Sequence, residues 1–195
     1  MIYNDVICVA VPPSEVTLDK NELLARLNMG AYFDLETIKP YLDEFYKVVN
    51  YKVAYAIVDL KVEESVADFG FAKVESNALS KVLFGYNKAY IFAVTVGIDV
   101  DRLISRLNIK SSIDAYFMDA IGSCAAESLA EYLNDKLCSD KDCTPRFSPG
   151  YADFPLDFQR ALLERLNSNV SVGITLTENL LMIPTKSITA VIGIK

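Results

Sequence analysis

Apolar residues recur along the chain in two rhythms, every second position or every third and fourth, and the changes of rhythm predict alternating strands and helices. Val6 to Val11 is an apolar run stopped by Pro12-Pro13, read as a short strand and a break. Asp19 and Glu22 have the spacing of a capping box, and Leu23, Leu24 and Leu27 then predict a short helix ending near Gly30. Leu35, Ile38, Leu42, Phe45 and Val49 step by three and four, so a second helix turns one stripe toward a core. Pro40 suits its first turn, which leaves Asp34 to Lys39 as an irregular lead-in. Tyr51 to Leu60 reads as a strand. Ser76 is placed to cap a helix running to Phe84, with Gly85 closing it. Ala89 to Val96 is a continuous β-rich run of the kind that forms a central strand, and Gly97 breaks it. Val100, Leu103, Ile104 and Leu107 mark a further helix.

The longest predicted helix spans Ser112 to Leu137, with Ile113, Tyr116, Phe117, Ala120, Ile121, Cys124, Leu129, Tyr132 and Leu133 on its buried side. Ala120, Gly122, Ser123, Ala125 and Ala126 form a small-residue patch, expected to let another backbone approach closely. Gly122 costs such a helix about 1 kcal/mol against alanine, a loss that packing must offset. A polar loop after Cys138, a segment from Pro145 to Phe154, a helix near Pro155 to Leu166 and a final strand from Ile188 to Ile194 complete the chain. The expected fold is α/β of the α+β type, with long helices on one side of a mixed or antiparallel sheet. Residues 1–50 read as an N-terminal extension and residues 51–195 as the core domain.

Composition narrows the chemistry more than the fold. The 195 residues carry a net charge of −7, which argues against a partner that is a nucleic acid. No apolar run approaches the roughly 18 residues that span a bilayer, and the start lacks a secretory signal. A cytoplasmic address without membrane association is expected. Cys138 and Cys143, with four residues between them, match neither a zinc knuckle nor a redox pair, so all four cysteines are expected to be free thiols. There is no histidine. That excludes a Ser-His-Asp triad, a Cys-His pair and a histidine ligand to zinc or cobalt. The protein by itself is therefore expected to hold neither a metal nor a corrinoid.

Arg146-Phe147-Ser148-Pro149-Gly150-Tyr151 is the segment richest in binding chemistry. Pro149-Gly150 favours a type II turn, because proline presets φ and glycine accepts a positive φ. Arg146 can aim a planar fork at a carboxylate, and Tyr151 offers a flat face with a hydroxyl. The plainer reading of the same residues is a surface turn capped by an arginine.

The segment resembles the R-x-x-x-G-Y motif of the activation domain of cobalamin-dependent methionine synthase. Ala120-Ile121-Gly122-Ser123-Cys124-Ala125-Ala126-Glu127 is similar to that family's small-residue helix. Thr175-Leu176-Thr177-Glu178 with Met182-Ile183-Pro184 looks like its leucine-threonine-glutamate segment, and Ser187-Ile188-Thr189-Ala190 like the strand that follows. These pieces keep the family's order over about residues 89–194, whereas the first 50 residues match poorly. The resemblance implies a stand-alone module that binds S-adenosylmethionine and presents it to a cobalamin protein for reductive remethylation. Arg146 would then pair with the ligand carboxylate, the backbone of Ser148, Pro149 and Gly150 would bind its polar groups, and Tyr151 would contact its body. Glu178 is a candidate for steadying the cationic ligand, against a role as a buried structural carboxylate. Glu127, Met182 and Ser187 are expected to be structural.

Cobalamin would enter only through a partner, a cobalamin-binding methionine synthase or corrinoid protein, with a flavodoxin-like electron donor. The family also uses an early aspartate, for which Asp5 and Asp34 are candidates, and a tyrosine-phenylalanine pair past its last strand, which has no match before Lys195. The alternatives are a docking scaffold for a corrinoid or methyltransferase protein, or a free-standing enzyme that uses the same methyl donor. The second lacks the glycine-rich strand-to-helix turn of common methyltransferases.

Overall fold

The computed structural model describes residues 5–28 and 35–195. In chain order the elements are β1 (Ile7–Val11), α1 (Lys20–Arg26), α2 (Lys39–Val48), β2 (Tyr51–Asp59), β3 (Lys61–Glu63), β4 (Val66–Asp68), β5 (Lys73–Glu75) and α3 (Asn77–Leu83). They continue with β6 (Lys88–Thr95), α4 (Ile98–Lys110), α5 (Ser112–Cys138), α6 (Phe158–Arg165), α7 (Ser168–Ser171), β7 (Thr175–Leu176), β8 (Met182–Ile183) and β9 (Ser187–Ile194). The main sheet has the order β1-β2-β6-β9 and is antiparallel throughout. β1, from the N-terminal 50 residues, pairs along β2 in the register Ile7–Tyr55 to Val11–Tyr51.

Both faces of this sheet are covered, and the two-residue period of β6 shows how. Tyr90, Phe92 and Val94 point into one core together with Phe117, Met118, Ile121 and Leu129 of α5. Ala89, Ile91 and Ala93 point into the other, against Leu79 and Leu83 of α3 and Leu162 of α6. The long helices α4 and α5 therefore lie on one side, as the sequence predicts. Short helices and the small sheet β3-β4-β5 close the opposite side. Three-residue strands carry too little pattern for periodicity to reveal them.

Helix starts follow local chemistry. The Asp19 carboxylate accepts from the Glu22 amide, and the Ser111 hydroxyl accepts from the Asp114 amide, each at the first turn of its helix. The Glu22 side chain turns instead to Arg26, so the capping box is only half formed. Pro40 stands in the first turn of α2 as expected. The predicted stop near Gly30 lies outside the described residues, as does Asp34.

Three expectations are corrected. Ile113 and Tyr116 are exposed, while their neighbours Ala115, Phe117 and Met118 carry the burial; the Tyr116 hydroxyl donates to the Arg26 carbonyl. Gly122 admits side chains and not a backbone: a Cβ there would meet Val100 and Lys186, each at 3.2 Å. Cys138 and Cys143 are not free thiols but form a disulfide across a Cα–Cα distance of 5.9 Å. The helix ends at Cys138 and the chain turns back within four residues, which brings the two Cβ atoms together. Cys8 and Cys124 remain free.

Candidate functional site

After the disulfide the chain runs antiparallel along the outer edge of β9, with bridges Cys143–Ile194 and Phe147–Val191. The amides of Thr144 and Phe147 donate to the carbonyls of Gly193 and Val191, and Val191 returns a bond to Phe147. This fixes Arg146 beside α5. Ser148 to Tyr151 then forms the expected turn, with the Tyr151 amide donating to the Ser148 carbonyl at 3.1 Å and Gly150 at φ +93°. The Gly150 amide donates to the Phe154 carbonyl, so the Gly150 and Tyr151 amides are committed within the loop, against the expectation that the Gly150 amide is open to a ligand.

Asp153 locks this loop to the start of α3. Its carboxylate accepts from the Ser76 hydroxyl at 2.5 Å and from the Asn77 and Ala78 amides at 2.8 and 3.1 Å. These bonds, the Ser76 hydroxyl first, hold its pKa down to about 2. A depressed carboxylate pKa stabilises the fold above the unfolded value and loses that contribution as pH falls through the folded one. Asp153→Asn is therefore expected to lower stability at neutral pH and to flatten the decline between about pH 4 and pH 2. Urea unfolding at stepped pH checks it; parallel curves for variant and parent would contradict the cap.

A cavity of about 430 Å³ opens beside the turn, lined by Glu127, Arg146, Ser148, Pro149, Tyr151 and Ser187 among others. Of the residues singled out in the sequence, Arg146, Ser148, Pro149 and Tyr151 line this cavity, and Gly150 does not. Glu178 does not line it. It is exposed on the turn between β7 and β8, which overturns the reading of a buried carboxylate. Asp5 pairs with Arg165 at 2.6 Å, away from the cavity. Glu127, Met182 and Ser187, expected to be structural, are all cavity-lining.

Arg146 defines the site's electrostatics. Its Nη2 lies 2.8 Å from Glu127 Oε2 and 3.7 Å from a Glu131 oxygen, both presented by α5. Its Nη1 is buried with no hydrogen-bond partner. An unpaired guanidinium nitrogen held away from water is costly; one prong of the fork is satisfied within the protein and the other lacks an acceptor.

The opposite wall is equally well fixed. The Ser187 hydroxyl donates to the Pro184 carbonyl, the Gln159 amide group donates to the Leu180 carbonyl, and Thr185 is bound twice to Asp101. Lys186 reaches Asp119 at 2.7 Å and Ser123 at 2.9 Å on α5. Tyr151 is 61% exposed, and with the exposed Leu156 it forms an apolar rim of the cavity. Among the described residues no group of histidines, cysteines and carboxylates could hold a metal ion, and no helix is long and apolar enough to cross a membrane.

Comparison with known proteins agrees with this architecture. A search of curated proteins gives no match. Among solved structures, the crystal structure of the MetH reactivation domain bound to AdoHcy superposes with a TM-score of 0.78 at 15% identity, covering 96% of this chain and 78% of that one. The family model for the activation domain of vitamin B12-dependent methionine synthase matches residues 63–194. The chain belongs to that family.

Proposed function

We propose that the cavity beside Arg146 binds S-adenosylmethionine and that the chain presents this methyl donor to a cobalamin protein for reductive remethylation. The observation that carries the reading is Arg146, which lines a cavity of about 430 Å³ and whose Nη1 is buried without a partner. A ligand carboxylate is the acceptor such a nitrogen lacks. The Ser148 hydroxyl and the Tyr151 ring offer the polar and flat contacts that an adenosine moiety takes. The MetH reactivation domain, of the same fold, binds the demethylated form AdoHcy. In the proposed step the sulfonium carbon–sulfur bond breaks with both electrons left on sulfur. The methyl group would pass to a cobalamin held by the partner, which would supply the bonding electron pair once a flavodoxin-like donor had reduced it by one electron. This chain's part is to bind, orient and expose the donor.

The test is thermal. A ligand that binds only the native state raises stability by about 2.7 kcal/mol at roughly 100 times its dissociation constant. S-adenosylmethionine is expected to raise the melting temperature of the protein. A flat melting temperature across millimolar ligand, with and without a cobalamin-binding methionine synthase fragment, overturns the site. That result would favour the docking scaffold, in which the Arg146–Glu127 pair is purely structural and the apolar rim does the binding.

A further inference from the structure

The charges around the cavity sum to a value that selects among ligands. Arg146 is the sole cation among the described residues that line it. That guanidinium is faced by Glu127 at 2.8 Å and Glu131 at 3.7 Å. The next arginine, Arg26, is paired with Glu22 at 2.7 Å and stands 4.0 Å from Glu127. Two guanidinium groups against the carboxylates of Glu22, Glu127 and Glu131 leave one net negative charge. Lys186 does not redress it, since Asp119 holds its ammonium at 2.7 Å. A site built for a simple anion would show the opposite sign.

Resting on the reading above, we infer that Glu131 makes this cavity discriminate by charge, favouring the sulfonium form of the ligand over the demethylated thioether. S-adenosylmethionine carries an ammonium, a carboxylate and a sulfonium, a net charge of +1, whereas S-adenosylhomocysteine lacks the sulfonium and is neutral overall. The carboxylate and ammonium are common to both, so their contacts with Arg146 and Glu127 do not separate the two ligands. The surplus negative charge does. Glu127 is occupied by its hydrogen bond to Arg146, while Glu131, exposed and outside the cavity lining, stands one helical turn along α5 and contributes through space. A unit charge brought near a half-solvated cleft changes affinity on the order of three- to tenfold. Selectivity of this sign loads the site with the methylated donor and ejects the spent one after transfer.

The experiment is a pair of titrations, S-adenosylmethionine and S-adenosylhomocysteine, on the full chain and on Glu131→Gln at low ionic strength. The expected result is a several-fold preference for the sulfonium in the parent. Glu131→Gln should cut that ratio by roughly three- to tenfold, and raising salt should erode the parent's preference toward the variant's. Asp135→Asn, one turn farther from Arg146 on the same helix, should move the ratio less. A general effect of the substitution on the Arg146 fork would change both affinities alike and cancel in the ratio. An unchanged ratio in Glu131→Gln overturns the assignment while the binding site stands. Failure of both ligands to bind the parent overturns the reading beneath it, and the selectivity with it.

Discussion

Arg146→Ala is expected to weaken S-adenosylmethionine binding by roughly 10- to 150-fold, and Arg146→Lys nearly as much. A charge-assisted hydrogen bond is worth about 1.5–3 kcal/mol, which sets that range. The geometry explains why lysine should not rescue. The two ends of the guanidinium do different work, Nη2 anchoring to Glu127 and Nη1 remaining buried for an acceptor. An ammonium keeps the charge but cannot present two nitrogens in a fixed plane. Lysine would be drawn to Glu127 and Glu131 and leave the ligand carboxylate without a donor. Calorimetric titration of both variants, with circular dichroism to confirm the fold, measures the effect. Full affinity in Arg146→Ala would remove the arginine from the site and leave the turn as mere structure.

The second large effect belongs to the core. Phe92 is fully buried in the middle of β6, packed in the cluster that joins the sheet to α5. Phe92→Ala is expected to cost about 3–5 kcal/mol, the transfer of the ring plus the cavity left behind. Native domains are stable by only about 5–15 kcal/mol, so this one change would consume a large share. Phe84→Ala is the internal control: the ring is 77% exposed and its loss should fall within about 0.5 kcal/mol. Urea midpoints with unchanged slopes give both numbers. A loss below about 1 kcal/mol for Phe92 would mean that β6 is not the centre of the core.

How far the sequence revealed this architecture depended on the reach of each signal. β2, β6 and β9 were legible because each carries a run of five or six apolar or aromatic residues, Val53 to Val58, Ala89 to Val94 and Ala190 to Ile194, as a largely buried strand requires. The caps at Asp19, Ser76 and Ser111 each act within three residues of their partner amide, and the first two were read directly. The turn at Pro149-Gly150 was equally local. The helix α5 misled at its start. Its middle is buried on almost every side, so no clean stripe set the limits of burial, and Ile113 and Tyr116 were assigned to the core on spacing alone.

The site itself was half visible. Its loop is contiguous in sequence, but the carboxylates that face Arg146 come from another element, 19 and 15 residues earlier for Glu127 and Glu131. Only their four-residue spacing on one helix hinted at a shared face. Asp153 was missed because its partners lie 75 or more residues away, and no local rule connects them. The disulfide was missed for a related reason: a spacing of five positions does not say whether the chain turns back on itself.

The segment from Cys143 to Phe147 has a consequence for the lifetime of the site. It is joined to α5 at one end by the disulfide and stitched to β9 by strand-type backbone bonds, and Arg146 sits inside that stitching. Binding loops commonly open by local fraying, at a fraction of the cost of unfolding the domain. Here Arg146 cannot swing away without unzipping the edge of the main sheet. Any opening that admits a ligand is therefore expected at the exposed Tyr151, while the anchoring half of the pocket keeps its shape.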